Sequence, residues 1–114
     1  MNNNSPKIAD MIWYANRAMI GEISSPMRMI TLKWDDTNIF LKGYIDGEIT
    51  SKDRDSIGII WGTIITDFVD THDGNFEVIR YDYPKRLNDI ADNGMVIYCR
   101  REEIPSDVGG KEII

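Results

Sequence analysis

The sequence is poor in the residues that covalent and metal chemistry need. Its 114 residues include one cysteine, Cys99, and one histidine, His72. A single cysteine excludes an intramolecular disulfide and fits a reducing compartment. A lone histidine in a polar turn is a poor basis for a Ser-His-Asp triad, and together with Asp70 and Asp73 it would not easily form a tetrahedral metal site. We therefore predict a protein that is not an enzyme and that binds neither a metal nor a cofactor.

Long apolar runs are also missing. No stretch of roughly 18 apolar residues occurs, so no segment is expected to span a membrane. The first ten residues, MNNNSPKIAD, lack the basic and apolar regions of a signal peptide. Together these absences predict a cytoplasmic protein. The length suits a single domain, which we place at 1–101, followed by a loosely structured tail at 102–114 that contains Pro, Ser and Gly.

The longest amphipathic segment lies at 50–70. Its large apolar residues recur with helical spacing, namely Ile57, Ile60, Trp61, Ile64 and Phe68. Thr50 or Ser51 marks the predicted start, and Asp53 and Asp55 lie in the first turn, where a carboxylate complements the positive end of the helix. This pattern predicts a central helix that packs on a sheet.

A first helix is predicted from Pro6 to Ile20, and Gly21 is expected to end it. Its predicted apolar stripe consists of Ile8, Ile12, Ala15 and Met19, which Met11 and Trp13 widen. For Trp13 and Tyr14 we expect packing in or beside the core rather than contact with a ligand.

Four segments alternate in the manner of strands, at 27–34, 39–45, 76–83 and 95–100. The turn residues at 35–38 predict that the first two form a hairpin. The order α-β-β-α-β-β therefore predicts an α+β domain, in which two hairpins form a four-stranded, mainly antiparallel sheet with both helices on one face. If the second and third strands are parallel neighbours, their connection is expected to be right-handed. In the second strand, Ile39, Leu41 and Ile45 compete with Phe40 and Tyr44 for the inward face.

Acidic residues are concentrated in the middle of the chain. The net charge is −6, and the segment 35–92 holds 13 acidic and 6 basic residues. Such a surface disfavours direct contact with nucleic acid and favours a basic protein partner, although many soluble proteins are acidic for solubility alone. The predicted partner-binding residues are Asp46, Glu48, Asp67, Asp70, Asp73, Glu77, Tyr81 and Asp82. Asp46 and Glu48 also form a carboxylate pair that leaves acid–base catalysis as a further hypothesis.

Three stretches carry a family resemblance, namely MIGEISSPMRMITLKWDD at 19–36, IFLKGYIDGEITSKDRDSIGIIWGTIITDF at 39–68, and YDYP at 81–84. The sequence resembles the immunity proteins of contact-dependent growth inhibition (CDI) systems. This resemblance implies a cytoplasmic antitoxin that binds the toxic C-terminal domain, commonly a nuclease, of a large secreted effector and blocks its active site. The alternative is a small adaptor or homodimer with no toxin partner, whose exposed sheet face forms the interface.

Overall fold

Short-range polar contacts close the first hairpin. Asp35 accepts hydrogen bonds from the backbone N–H groups of Thr37, at 2.9 Å, and Asn38, at 2.8 Å. These two bonds hold the pKa of Asp35 below its usual range. The flanking strands β1 (Met27–Trp34) and β2 (Asn38–Ile45) pair antiparallel in the computed structural model, which describes residues 7–67 and 73–103. The predicted hairpin is therefore confirmed.

The central helix α2 (Ser51–Thr66) begins where the sequence predicts. The side chain of Thr50 accepts a hydrogen bond from the backbone N–H of Asp53 at 3.1 Å, which satisfies one of the free donors at the start of a helix. Three of the predicted apolar residues are fully buried, namely Ile57, Ile60 and Ile64. The end of the predicted segment, 68–70, lies outside the described residues.

The side that the first helix, α1 (Ile8–Met19), buries overlaps the predicted one only in part, through Met11 and Ala15. The core contains Met11, Ala15 and Ala18, whereas the predicted core residues Ile8 and Ile12 are exposed. The small side chains of the two alanines allow close packing. The helix is therefore rotated about its axis, relative to the predicted orientation, so that these alanines face the core. Gly21 has a φ of +81° and follows the helix as predicted, while the predicted start at 5–6 lies outside the described residues.

The sheet has the strand order β3-β2-β1-β4, with β3 at Asp73–Arg80 and β4 at Met95–Cys99. β2 and β3 are parallel, and α2 connects them, whereas β4 pairs antiparallel with β1. The α+β fold and the element order are as predicted, but the sheet is mixed and the predicted second hairpin is wrong. β3 and β4 lie at opposite edges because the crossover through α2 places β3 beside β2, so that β4 pairs with the remaining edge of β1.

The helices cover one face of this sheet. Ile39, Leu41 and Ile45 of β2 lie in the core with Ile30 and Leu32 of β1, which decides between the two possible inward faces. On the other face, here called the open face, Tyr44 is buried and Phe40 is partly exposed. The connection 81–94, which includes a short 3₁₀ helix at Leu87–Asp89, joins β3 to β4. Neither helix in the described part of the chain is long and apolar enough to cross a bilayer.

Candidate functional site

The parallel strands β2 and β3 end at the same edge of the sheet, and charged residues follow both of them. Asp46 and Glu48 come after β2, while Tyr81 and Asp82 come after β3. Because Ile45 pairs with Arg80, the two segments lie side by side. We call residues 46–48 and 80–83 the carboxyl edge. It brings together four of the eight residues that the sequence predicts to bind a partner.

Hydrogen bonds fix the carboxylates of Asp46 and Asp82 in the carboxyl edge. The backbone N–H of Gly47 donates to Asp82 at 2.8 Å, and the backbone N–H of Tyr83 donates to Asp46 at 3.0 Å. Arg80 donates to Asp82 at 3.0 Å, and this bond, with the one from Gly47, holds the pKa of the Asp82 carboxyl below its usual range. Each segment therefore holds a carboxylate of the other in place.

A buried arginine supports the carboxyl edge from β1. A β-bulge between Met27 and Met29 sets the side chain of Arg28, which is 1 % exposed, beneath residues 81–85. Its guanidinium donates to the carbonyl oxygen of Tyr81 at 2.9 Å and to that of Lys85 at 2.7 Å. The same group lies 5.5 Å from the ring centroid of Tyr81 and 5.7 Å from that of Tyr83, within cation–π range.

Glu102 completes this support. Its two carboxylate oxygens accept hydrogen bonds from Arg28, at 2.7 and 2.9 Å, in the bidentate geometry that makes arginine–carboxylate pairs strong. Arg100 donates to Glu102 at 2.9 Å and to Asp46 at 3.4 Å, which links the pair to the carboxyl edge. The bond from Arg28 lowers the pKa of Glu102, and the bond to Glu102 raises that of Arg28. We call Arg28, Arg100 and Glu102 the arginine clamp.

The sequence interpretation missed the arginine clamp. Glu102 was expected at the start of a loose tail, but both it and Glu103, whose carbonyl oxygen accepts a hydrogen bond from the Tyr83 hydroxyl at 2.7 Å, contact the domain. One signal was available. Arg28 interrupts an apolar strand, and a charge in such a place needs a buried partner. The remainder of the predicted tail, 104–114, lies outside the described residues.

The other predicted residues lie away from the carboxyl edge. Asp67 follows α2, and its side chain, 9 % exposed, forms an ion pair with Arg17 of α1. Asp73 begins β3 and is exposed, while Asp70 is outside the described residues. Because β3 has eight residues, Asp73 is about 25 Å from the carboxyl edge. Glu77 lies in the middle of β3, opposite Lys42 of β2. The seven of these residues that the structure describes therefore do not form one continuous patch.

A second polar cluster lies on the open face. Asp92 accepts hydrogen bonds from the Tyr44 hydroxyl, from Thr31 at 2.8 Å and from the backbone of Gly94 at 2.7 Å. Burial raises the pKa of Asp92, but these three bonds outweigh it and leave the pKa below its usual value. Burial, with the bond to Asp92, raises the pKa of Tyr44. The cluster fixes the connection 81–94 over the sheet.

A cavity of about 130 Å³ adjoins Asp92 and is lined by Thr31, Lys33, Phe40, Lys42, Ala91, Asp92 and Asn93. It is too small for a drug-sized ligand. Within residues 7–67 and 73–103, no group of three His, Cys, Asp or Glu side chains is placed to hold a metal ion. His72, with which a metal site was considered, lies outside these ranges.

The fold and the carboxyl edge define a small α+β protein with an ordered, charged surface. Residues 8–102, most of the chain, match the MafI2 immunity protein family. The chain belongs to the MafI2 immunity protein family, and the described residues of the clamp and the carboxyl edge fall within the match. No curated protein matches the chain. The match supports an immunity protein that neutralises a toxin, while the narrower assignment to CDI stays a prediction.

Proposed function

We propose that this protein acts in the cytoplasm as the antitoxin of a secreted effector, whose C-terminal toxin domain it binds through the carboxyl edge. The proposed toxin domain is a nuclease with a basic substrate groove. In this proposal Asp46, Glu48 and Asp82 occupy the groove in place of the phosphates of the nucleic acid. Binding then prevents entry of the substrate, and the immunity protein itself needs no catalytic residue.

The fixed geometry of the carboxyl edge is the observation that carries this proposal. The carboxylates of Asp46 and Asp82 are each held by a backbone N–H and by an arginine before any partner arrives. Surfaces ordered in advance lose less conformational entropy on binding. Tyr81 and Tyr83 add aromatic area beside the carboxylates, and interface hot spots are enriched in tyrosine. The net charge of −6 would also speed encounter with a basic domain.

The experiment that tests the proposal is rescue of growth. Cells that express the toxin domain encoded next to this protein would be supplied with the wild-type protein or with Asp82→Asn, and the affinity of the purified pair would be measured by calorimetry. Asparagine keeps the shape of the side chain and the acceptor for Gly47 but removes the charge. Removing one partner of a buried charge pair costs about 2–5 kcal/mol, so we expect the affinity to fall by at least about 30-fold.

The matched control is Asp36→Asn. Asp36 is an exposed carboxylate in the turn between β1 and β2, at the other end of the strands. The charge change is identical, so general electrostatic attraction falls equally in both variants. Equal affinities for the two variants, or an unchanged affinity for Asp82→Asn together with Asp46→Asn and Glu48→Gln, would contradict the carboxyl edge as the binding surface.

The second hypothesis, a homodimer or adaptor with no toxin partner, predicts a different outcome. Under it, the neighbouring toxin domain would neither bind the protein nor lose its toxicity in its presence. Size-exclusion chromatography of the protein alone and mixed with the toxin domain separates the two hypotheses. A new peak that contains both chains supports the antitoxin.

A further inference from the structure

The cavity on the open face is built from two strands and the connection that crosses them. β1 and β2 supply one side, where Thr31 pairs with Lys42 and Lys33 pairs with Phe40. Residues 91–93 of the connection supply the other side. Thr31 is 3 % exposed, and its hydroxyl donates at 2.8 Å to a carboxylate of the connection. The two sides of the cavity are therefore held together within the fold.

The charge of the cavity is opposite to that of the whole chain. Lys33 and Lys42 contribute two ammonium groups, and Asp92 is the one carboxylate among the lining residues, which leaves a net charge of +1. The whole chain has a net charge of −6. Both oxygens of Asp92 already accept hydrogen bonds, one from Gly94 and the other from Thr31 and Tyr44. The carboxylate is therefore occupied within the fold, and the ammonium groups are left to a ligand.

Neither lysine is neutralised by an ion pair in the described part of the chain. The ion pairs there involve other residues, although Glu77 of β3 lies opposite Lys42 in the sheet. The ammonium groups of Lys33 and Lys42 and the side-chain amide of Asn93 are donors. A carboxylate can accept from all of them, and its bonds to ammonium groups are the strong, charge-assisted kind. The lining of the cavity therefore fits a carboxylate.

The size of the cavity fits a side chain rather than a free ligand. Its volume of about 130 Å³ is room for roughly four water molecules, or for a carboxylate with a short stem. A free ligand of so few atoms can gain only a little binding energy. The same carboxylate presented by a protein is supported by the contacts around it. Phe40, which lines the cavity and is 39 % exposed, offers apolar area for such contacts.

The cavity is continuous with the carboxyl edge. The ring of Tyr81 packs edge-on against that of Tyr44, with 6.4 Å between the centroids, and the Tyr44 hydroxyl donates to Asp92. Lys42 lies three residues before the end of β2 at Ile45, a distance of about 10 Å. A standard interface of about 800 Å² per partner is about 30 Å across. One protein partner can therefore cover both the carboxyl edge and the cavity.

We propose that the toxin domain places one aspartate or glutamate side chain in this cavity, with its carboxylate between the ammonium groups of Lys33 and Lys42. This inference rests on the proposed antitoxin function, because the toxin domain is the partner it names. The carboxyl edge then binds basic groups of the toxin, and the cavity binds an acidic one about 10 Å away. A basic domain without a carboxylate at that position leaves the two ammonium groups unpaired, so the cavity selects among basic partners.

The test is calorimetry of the purified pair with lysine variants. Lys33→Gln and Lys42→Gln should each weaken binding by at least about tenfold, since each removes a hydrogen bond between charged groups. The control is Lys52→Gln, an exposed lysine in the first turn of α2, on the side of the sheet that the helices cover. Each variant loses one positive charge, which by general electrostatics favours binding to a basic domain. Weakening confined to Lys33 and Lys42 therefore reports the cavity.

A neutral substitution tests the cavity apart from its charge. Ala91 lines the cavity and is exposed, so Ala91→Leu fills the space without altering the charge. We expect this variant also to weaken binding by about tenfold, while the midpoints of urea unfolding of all four variants stay near that of the wild type. The partner carboxylate is found by replacing each Asp and Glu of the toxin domain by its amide. The correct replacement weakens binding to the wild type and costs nothing further with Lys42→Gln.

The outcomes separate this inference from the proposed function. If the wild type binds the toxin domain and Lys33→Gln, Lys42→Gln and Lys52→Gln all bind it equally well, the cavity proposal is overturned and the antitoxin function stands. Unchanged binding by Ala91→Leu would likewise overturn the insertion of a side chain. A wild-type protein that does not bind the toxin domain at all would overturn the proposed function, and this inference with it.

Discussion

Replacing Arg28 by methionine should destabilise the protein more than any other substitution of a charged residue that we consider. Methionine is also long and unbranched, so it fills most of the space of the arginine side chain. The variant loses the donors to Glu102 and to the carbonyl oxygens of Tyr81 and Lys85. Removing one partner of a buried ion pair costs about 3–5 kcal/mol. Glu102 keeps its bonds from Arg100 and is 15 % exposed, which places the expected loss near the lower limit, at about 3 kcal/mol.

The measurement is urea unfolding of the wild type, Arg28→Met and a control, Arg101→Met, whose side chain is exposed. Total stabilities of small domains are about 5–15 kcal/mol, so a loss of about 3 kcal/mol moves the midpoint clearly. The control should change the free energy of unfolding by less than about 0.5 kcal/mol. If Arg28→Met costs less than about 1 kcal/mol, the clamp does not hold residues 81–85 as we infer.

The dependence of stability on pH gives a second test of the ion pair between Arg28 and Glu102. The folded-state pKa of Glu102 lies below its ordinary value of 4.5. A carboxyl with a lowered folded-state pKa stabilises the fold at pH values above its ordinary pKa, and this contribution disappears as the pH falls through the folded-state pKa. The stability difference between the wild type and Arg28→Met should therefore be full at neutral pH and shrink below about pH 4.5. A difference that stays constant down to pH 3 would contradict the role of the ion pair.

Three further substitutions test the packing. Thr50→Ala removes the hydroxyl that accepts a hydrogen bond from the backbone N–H of Asp53. It should lower the free energy of unfolding by about 1 kcal/mol in urea titrations. An unchanged midpoint would refute the role of the cap. Trp61→Phe removes the indole donor to the carbonyl oxygen of Ile39, a bond of 2.9 Å, and we expect about 1 kcal/mol of lost stability with no change in toxin affinity by calorimetry. Gly74→Ala would place a Cβ 1.9 Å from the carbonyl oxygen of Ile39, at a φ of +130°. Thermal unfolding should therefore show a loss of stability of about 2 kcal/mol or more. A melting temperature equal to that of the wild type would contradict this steric clash.

Local pattern was sufficient to predict the elements of this fold. Helical spacing and the Thr50 cap located α2, and alternation located β1, β2 and β4, because each of these signals depends on neighbours within about one turn or one pleat. β3 was predicted at 76–83 but begins and ends three residues earlier, at Asp73–Arg80. Strand order is a different matter. The alternation of β4 does not indicate which edge of the sheet the strand joins. The prediction that β4 pairs with β3, its neighbour in sequence, is therefore wrong. In α1, the apolar residues exceed what one buried side can hold, and periodicity alone did not decide which side faces the core.

The candidate site was predictable in part for a related reason. Asp46 and Glu48 lie close in sequence, as do Tyr81 and Asp82, and the parallel pairing of β2 and β3 brings these two groups to one edge. Asp67 follows α2 and Asp73 begins β3, so the length of each element separates these residues from that edge, although they are close to Asp82 in sequence. The clamp joins residues 74 positions apart, and no local pattern reports such a pair.

The central position of β1 has a consequence for the order in which the chain folds. β1 follows the first helix, yet the edge of β1 that faces away from β2 pairs with β4, the final strand. Glu102, the ion-pair partner of Arg28, likewise lies 74 residues further along the sequence. Contacts of such high sequence separation close large loops, which slows folding. Until the final strand arrives, an apolar strand with one open edge is available to other chains. We therefore expect a nascent or refolding chain to depend on dilution or on a chaperone until β4 is in place. We also expect the carboxyl edge, which the arginine clamp supports, to form last.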